Sequence, residues 1–219
     1  MQKIFAILLL VFILPLFFLI GLLVVLFSGK PMIFRQFRYG EKFKKFEILK
    51  FRTMRVNSCE NLTDFRDNRI TKIGYLLRIF KLDELPQLIN IINGDMCFVG
   101  PRPEIVDIVD RNKKSFNFLD IIKPGITDIS SIIFKNESKI FKDLELSEYE
   151  TIILPLKVHL INISIEKKNV FYDMLVIIIT SISLFNHNIS ILAIKFFFLN
   201  DLEIEFRTKL NRILSKQIF

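Results

Sequence analysis

Residues 81–103 read K-L-D-E-L-P-Q-L-I-N-I-I-N-G-D-M-C-F-V-G-P-R-P. Two adjacent acids, Asp83 and Glu84, open a short apolar segment, and Pro86 is tolerated in the first turn of a helix because its missing N–H costs little there. Apolar residues at helical spacing then predict one buried helix face, and Gly94 predicts the end of the helix. We therefore expect both carboxylates at a helix N-terminus, where unpaired N–H groups and the positive end of the helix dipole favour anions such as phosphates.

The turn Gly100-Pro101-Arg102-Pro103 follows, and it is expected to be rigid and non-helical. It presents the guanidinium of Arg102, a planar fork that matches phosphate oxygens. Carboxylates for a divalent cation and an arginine for phosphate thus lie close together in the chain, which indicates phosphate chemistry. The simpler alternative makes Asp83 a helix cap, worth about 0.5–2 kcal/mol, and the arginine a turn residue. A cap needs only one acid, however, and two adjacent acids repel each other.

Composition indicates a chain that is more apolar than most soluble domains and whose partners carry negative charge. The 219 residues can bury a sizeable core in one domain, but 51% hydrophobic residues and a mean hydropathy of +0.40 exceed what a soluble domain usually needs. The net charge of +8 suits nucleic acid, an anionic membrane surface or phosphorylated substrates. No interleaved aromatic-basic motif supports nucleic-acid binding, which we rank last. Cys59 and Cys97 form no C-x-x-C pair, so we expect neither a disulfide framework nor a zinc site. We expect a reducing, cytoplasmic setting instead.

The N-terminal stretch Ile4–Phe27 holds 24 residues without a charge, which is long enough to cross a bilayer as a helix. The stretch is too long for the apolar part of a secretory signal peptide. Pro15 lies near its middle, where a proline removes a hydrogen bond and clashes with the preceding turn. We expect a kink that lets the helix enter and leave by the same membrane face, with a plain spanning helix as the alternative. Basic residues on both sides, Lys3 and Lys30, agree with two cytoplasmic flanks.

Secondary structure beyond this segment is predicted from local patterns. Met32–Phe37 and Phe43–Phe51 are apolar-basic runs around a Gly-containing turn, typical of a β-hairpin. Ile73–Phe80 reads as a short amphipathic helix leading to the acid pair. Met174–Leu184 is apolar but only 11 residues long, too short to span, and is interpreted as a core or interfacial segment. The remaining predictions are a surface loop at Val56–Thr71, a helix pair interrupted by Pro155 at Ser147–Ile165, a second apolar segment at Ile189–Leu199 and an amphipathic tail at Asp201–Phe219.

Several separated motifs closely resemble those of the monotopic phosphoglycosyl transferases, a bacterial sugar transferase family. They are L-D-E-L-P-Q at Leu82–Gln87, G-D-M-x-F-V-G-P-R-P at Gly94–Pro103, K-F-R-T-M within Phe46–Met54 and P-G-I-T within Lys123–Thr127. The resemblance runs from about residue 3 to residue 185. After Thr127 many relatives continue G-W-A-Q-V-N-G-R, whereas this chain has D-I-S-S-I-I-F-K. That segment lies near the sugar-nucleotide end in the family, so the departure concerns the identity of the sugar.

The resemblance implies an α+β, mainly helical fold placed on the cytoplasmic face of the bacterial inner membrane. Residues 1–30 would form a re-entrant membrane helix, for which the family usually has Ser before the proline where this chain has Leu14. Residues 31–185 would form the β-hairpin and a small cytoplasmic catalytic domain with interfacial amphipathic helices. Residues 186–219 would form the amphipathic tail.

The resemblance also implies a reaction, the transfer of a phosphosugar from a UDP-sugar to polyprenyl (undecaprenyl) phosphate with release of UMP, as the first membrane step of surface glycan assembly. Family precedent makes Asp83 the nucleophile of a covalent aspartyl-phosphosugar intermediate and Glu84 the ligand of Mg²⁺, although the residues alone do not choose between the two acids. The implied phosphate-binding residues are Arg102, Arg78, Lys50 and Arg52. The alternative is a membrane-anchored scaffold that binds polyprenyl phosphate without turnover, against which the intact acid pair argues. Membrane lipids are expected partners and nucleic acid is not.

Overall fold

A computed structural model describes residues 1–55, 69–135 and 149–198, together with Thr208 and Leu210. Most of the predicted loop at 56–71 and of the predicted tail at 201–219 therefore lies outside the described residues. The helices and strands, in chain order, are α1 (Gln2–Phe12), α2 (Leu14–Ser28), β1 (Ile33–Tyr39), β2 (Lys45–Phe51), α3 (Lys72–Ile79), α4 (Gln87–Asn93), β3 (Cys97–Val99), α5 (Val106–Arg111), β4 (Gly125–Thr127), α6 (Ile129–Ile133), α7 (Leu154–Glu166), α8 (Val170–Phe185) and α9 (His187–Phe198).

The predicted break of the N-terminal helix is confirmed. Helices α1 and α2 meet at Ile13 and are bent by 66° relative to each other. Pro15 is the second residue of α2, a position where the missing N–H leaves no hydrogen bond unmade, and Phe17 N still donates to the Ile13 carbonyl at 2.8 Å. Within the described residues, no single helix has the length and apolar character to cross a membrane, although the bent pair taken together does.

The bent pair also forms part of the protein core. Helix α1 packs against α4, where Ala6 is buried with Leu88 and Ile91. Helix α2 packs against α3 and buries Val24 in a cluster with Leu77. The other sides of both helices expose large apolar residues, among them Leu8, Phe12, Phe18, Leu22 and Leu26. The membrane-type segment is therefore joined directly to the elements that flank the acid pair.

Two small sheets organise the rest of the site. Strands β1 and β2 pair antiparallel from Ile33↔Phe51 to Tyr39↔Lys45, which confirms the predicted hairpin. Strands β3 and β4 pair parallel, and this pairing sets the G-P-R-P turn beside the K-P-G-I-T segment. A Cβ atom on Gly125 would lie 2.7 Å from the Cα of Gly100, so the close approach of these two backbones requires glycine.

Helices α6 to α9 close a large apolar core that includes Ile129, Leu160, Val176 and Ile194. Pro155 does not separate two helices, as had been predicted. A π-helical turn at Tyr149–Ile153 leads directly into α7, and Pro155 is the second residue of α7, where a proline is tolerated. Helices α8 and α9 cover the predicted apolar segments. They bury one side in this core and expose another, which carries Phe171, Met174, Phe185, Leu192 and Phe196. The mainly helical α+β class is confirmed, and contact of these helices with a membrane stays a prediction.

Candidate active site

The acid pair lies in a 3₁₀ turn, Leu82–Glu84, that precedes α4. This corrects the prediction that both acids sit at the N-terminus of the apolar helix itself, with Pro86 in its first turn. Pro86 is instead the residue that caps α4, since its ring nitrogen has no hydrogen to extend the hydrogen bonds of the turn. The predicted stop is correct: Gly94 ends α4 in a left-handed conformation, with φ of 90°.

Helix α4 is fastened to the hairpin by a buried amide that the sequence analysis missed. Asn90 Nδ2 donates to the Glu47 carbonyl at 2.7 Å, and Leu49 N donates to Asn90 Oδ1 at 3.0 Å. The side chain thus occupies the free edge of β2 as a neighbouring strand would. The available signal was an Asn placed directly between two isoleucines of the helix, Ile89 and Ile91. The contact fixes β2, and Lys50 at its end, beside the acid pair.

Glu84 is held by two cations that come from separate sequence motifs. Lys50 Nζ lies 3.1 Å and Arg102 Nη2 3.0 Å from the same oxygen, Glu84 Oε1. Burial would raise the pKa of Glu84, but Arg102 and Lys50 outweigh burial and hold the pKa well below its usual range. Glu84 is therefore a carboxylate at every working pH. Its other oxygen, Oε2, is buried and has no hydrogen-bond partner within the described part of the chain.

Asp83 has the opposite electrostatic environment. Burial, followed by the neighbouring charge of Glu84, raises the pKa of Asp83 to about 6, while Lys50 and Arg78 oppose the rise. Two adjacent carboxylates thus have pKa values displaced in opposite directions, an arrangement typical of functional acid pairs. Near neutral pH Asp83 is ionised and more basic than an ordinary aspartate. It has the character of a nucleophile or a base, whereas Glu84 has that of a fixed charge.

Two of the predicted phosphate-binding arginines lie in different places. Arg78 lies close enough to lower the pKa of Asp83, and its Nε donates to Thr53 Oγ1 at 2.9 Å. Arg52 instead donates through Nε to the Pro31 carbonyl at 2.9 Å and lines an open groove of about 620 Å³ together with Arg35. The structure therefore brings Lys50, Arg78 and Arg102 to the acid pair, and it turns Arg52 towards the end of α2.

Three further charged residues near this site were not among the predicted site residues. Arg38 of β1 is buried enough to lower its pKa to about 10, and it lies near Arg102 and Glu104. Glu104, directly after the G-P-R-P turn, pairs with Lys157 Nζ of α7 at 2.8 Å. Lys81 precedes the acid-pair turn and adds its charge to that of Arg102 around Glu84. Lys81 and Glu104 each adjoin a recognised motif and so gave a signal in the sequence, whereas Arg38 lies in the hairpin, distant from those motifs in the chain.

The described residues fit a magnesium ion only in part. They contain no group of three or more His, Cys, Asp or Glu side chains arranged to hold a metal. Glu84 Oε2 nevertheless offers a buried, ionised oxygen without a donor. Mg²⁺ commonly binds through one or two carboxylates, keeps several waters and takes its other ligands from substrate phosphates. The donor set therefore fits an ion that arrives with a diphosphate, and does not fit a cage made of protein ligands.

Comparison with known proteins agrees with the motifs. The model of the bacterial sugar transferase family matches residues 1–187. The chain belongs to this family. In this sugar transferase, the matched region contains the acid pair, the G-P-R-P turn and both N-terminal helices. Nearly all of α9 lies beyond it.

Individual relatives match somewhat more than half of the chain. The UDP-N-acetylgalactosamine-undecaprenyl-phosphate N-acetylgalactosaminephosphotransferase of Aeromonas hydrophila is 37% identical over 54% of this chain and 30% of its own length. The UDP-glucose:undecaprenyl-phosphate glucose-1-phosphate transferase of Escherichia coli is 40% identical over 58% of this chain and 29% of its own. The exopolysaccharide production protein ExoY of Rhizobium meliloti is 36% identical over 56% of this chain and 62% of its own. The matches thus span less than a third of the first two relatives.

Proposed function

We propose that this bacterial sugar transferase transfers a phosphosugar from a UDP-sugar to polyprenyl (undecaprenyl) phosphate and releases UMP. The single observation that carries the proposal is the contrast within the acid pair, where Asp83 has a raised pKa of about 6 and Glu84 a lowered one. A carboxylate that is ionised yet basic near neutral pH suits nucleophilic attack on phosphorus. Relatives that carry undecaprenyl-phosphate and UDP-sugars in their names support the choice of donor and acceptor.

The reaction divides into two displacements at phosphorus. In the first, a carboxylate oxygen of Asp83 attacks the sugar-bearing phosphorus, the bond to the bridging oxygen breaks, and UMP leaves with that oxygen. In the second, a phosphate oxygen of the lipid attacks the same phosphorus, and the bond between that phosphorus and the Asp83 oxygen breaks. The product is a polyprenyl diphosphate sugar, and Asp83 returns to its carboxylate form.

The cations around Glu84 are expected to stabilise charge in both displacements. The side chain of Arg102 is 39% exposed beside the buried Glu84, which leaves the guanidinium able to donate to phosphate oxygens as well. Lys50 is 19% exposed and adds a second positive charge at the same oxygen of Glu84. When bound through Glu84 Oε2, Mg²⁺ supplies further positive charge to the diphosphate. Fixed cations in a partly dry site lower the barrier because they need no rearrangement during the reaction.

The N-terminal helices are proposed to enter and leave the cytoplasmic face of the bacterial inner membrane as a re-entrant pair. The 66° bend and the exposed apolar sides of both helices support this topology. Lys3 and Lys30 at the two ends agree with flanks on the same side. A catalytic domain held at the headgroup level reaches the phosphate of the lipid acceptor while the polyprenyl chain stays in the bilayer.

The test is turnover by the purified protein in lipid nanodiscs. The protein is incubated with Mg²⁺, undecaprenyl phosphate and each member of a panel of UDP-sugars, and UMP is measured. We expect UMP in excess of one equivalent per protein from at least one donor, and this turnover should depend on both the lipid and the metal. Asp107→Asn, which changes an exposed acid of α5, should retain the activity and serve as the control for Asp83→Asn. Tight binding of undecaprenyl phosphate without UMP from any donor would favour the scaffold alternative.

A further inference from the structure

Lys81 lies at the junction between α3 and the acid-pair turn, in a backbone conformation that lysine rarely adopts. Its φ and ψ are 53° and 23°, in the left-handed region. Two hydrogen bonds fix it there: Lys81 N donates to the Arg78 carbonyl at 3.2 Å, and Glu84 N donates to the Lys81 carbonyl at 3.2 Å. Glycine or asparagine would adopt this conformation at lower cost, so local folding does not explain a lysine.

The side chain of Lys81 has no hydrogen-bonding partner among the described residues of the site. Among the residues that the structure describes, its ammonium makes no hydrogen bond or ion pair, although it is half-buried. Its neighbours differ, because Lys50 and Arg102 both donate to Glu84 Oε1 and Arg78 donates to Thr53 Oγ1. Three ammonium donors therefore remain open beside the acid pair.

The charges around Lys81 show which way it faces. Burial lowers the pKa of Lys81, while Glu84, Asp83 and Asp128 raise it and Arg102 lowers it further. The ammonium thus lies within electrostatic reach of both acids of the pair and of the buried Asp128 that caps α6. A half-buried cation without a hydrogen-bonding acceptor is costly, and an incoming anion would remove that cost.

We propose that Lys81 binds phosphate oxygens of the diphosphate in the nucleotide-sugar donor. The inference rests on the proposed function and adds a binding residue to it. The position two residues before Asp83 supports the donor, because the phosphorus that Asp83 attacks must come within bonding distance of its carboxylate. A compact ammonium with three donors can follow the oxygens of a flexible diphosphate. The phosphate of the lipid acceptor has the same chemistry, and the experiment separates the two sources.

The variants for the test are Lys81→Asn, which removes the charge but suits a left-handed backbone, and Lys81→Arg, which keeps the charge. Lys42 offers a matched control, since it is an exposed lysine with φ of 56° in the hairpin turn. Lys42→Asn therefore makes the same chemical change in the same backbone conformation, away from the acids. Binding of UDP in the presence of Mg²⁺ is measured by calorimetry, and the KM values for the UDP-sugar and for undecaprenyl phosphate are measured by UMP release.

We expect Lys81→Asn to weaken UDP binding about tenfold or more and to raise the donor KM by a similar factor, since a hydrogen bond to a charged group is lost. The KM for undecaprenyl phosphate should stay within about twofold, Lys81→Arg should retain most of the UDP affinity, and Lys42→Asn should behave as wild type. Unchanged UDP affinity in Lys81→Asn, or a raised KM for the lipid alone, would overturn the proposal.

A second measurement uses the unchanged protein and so does not depend on how a variant folds. Acetylation by a water-soluble amine reagent is followed at each lysine by mass spectrometry, with and without UDP and Mg²⁺. We expect UDP to protect Lys81 at least threefold and to leave Lys42 unprotected, and equal labelling of Lys81 in both states contradicts the inference. Wild type that releases no UMP from any donor contradicts the proposed function, whereas turnover with an unprotected Lys81 contradicts only the assignment of this lysine.

Discussion

Arg102 Nη2 donates to Glu84 Oε1 at 3.0 Å, and this bond joins the G-P-R-P turn to the acid-pair turn across 18 residues of sequence. Lys50 Nζ reaches the same oxygen from β2, so that two cations from separate motifs meet at one carboxylate. Burial of Glu84 would be unfavourable without them, because a desolvated carboxylate needs compensating charge. The bond therefore both stabilises the junction and sets the different characters of Glu84 and Asp83.

Replacement of Arg102 by Lys keeps the positive charge but removes the planar fork. A lysine side chain has a single nitrogen and cannot hold both Glu84 and a phosphate in fixed geometry. We therefore expect kcat/KM to fall about tenfold or more, which corresponds to a loss of at least about 1.4 kcal/mol of transition-state stabilisation. UMP release at saturating lipid measures the change. Arg35→Lys, in an exposed pair with Glu47, is the control and should keep full activity. Activity of Arg102→Lys within about twofold of wild type would leave Arg102 as a turn residue only.

Asp83→Asn keeps the shape of the side chain but removes the anionic oxygen. If Asp83 is the nucleophile, wild type should acquire a phosphosugar adduct on incubation with the UDP-sugar and Mg²⁺ without acceptor, and Asp83→Asn should show neither adduct nor UMP. Intact-mass and peptide mass spectrometry locate the adduct. Full turnover by Asp83→Asn would exclude Asp83 as the covalent nucleophile.

Glu84→Gln should instead lower the rate and weaken the dependence on Mg²⁺, because an ionised oxygen is lost from the expected metal site. The measurement is UMP release across a titration of Mg²⁺. The expected order of activity is wild type, then Glu84→Gln, then Asp83→Asn. An adduct that maps to Glu84 in wild type would exchange the roles of the two acids.

The re-entrant topology predicts that Gln2 and Lys30 are accessible from the same side of the membrane. Each is replaced by Cys in a Cys59→Ser background and labelled with a membrane-impermeant maleimide in intact cells and in inverted vesicles. Cys97 should react little, since burial raises the pKa of its thiol to about 11. Labelling of both positions only in inverted vesicles is expected, and labelling of the two from opposite sides would show a spanning helix.

The Glu104–Lys157 pair predicts a pH dependence of stability. Burial would raise the pKa of Glu104, but Lys157 at 2.8 Å lowers it overall, so the stabilisation is present above the ordinary glutamate pKa of about 4.3 and is lost as pH falls through the lowered folded-state pKa. Glu104→Gln should lower the free energy of unfolding by about 3 kcal/mol at pH 7, since a buried ammonium loses its carboxylate.

Denaturant unfolding of wild type and Glu104→Gln at several pH values measures this difference, which should shrink below about pH 4. Glu166→Gln, which changes an exposed acid of α7, is the control and should stay within about 0.5 kcal/mol of wild type. A difference between wild type and Glu104→Gln that is the same at pH 7 and pH 3 would contradict the electrostatic origin.

The sequence by itself determined the features that depend on neighbouring residues. Pro15 dictates a break because it lacks an N–H, Gly94 ends a helix because it alone adopts a left-handed conformation freely, and the two apolar-basic runs around Gly40 form a hairpin. The motif at Leu82–Gln87 also identified the family correctly. The position of the acids in a separate 3₁₀ turn was missed, since the pattern of apolar residues does not distinguish that turn from the first turn of a helix.

Only the tertiary structure decided which charges meet. Lys50 and Arg52 are two residues apart, yet one reaches Glu84 and the other the Pro31 carbonyl, because β2 ends between them at Phe51. The raised pKa of Asp83 and the lowered pKa of Glu84 likewise arise from burial and from residues distant in sequence. Electrostatic interactions depend on separation in space and on local solvation, and neither quantity is encoded in the spacing of residues along the chain.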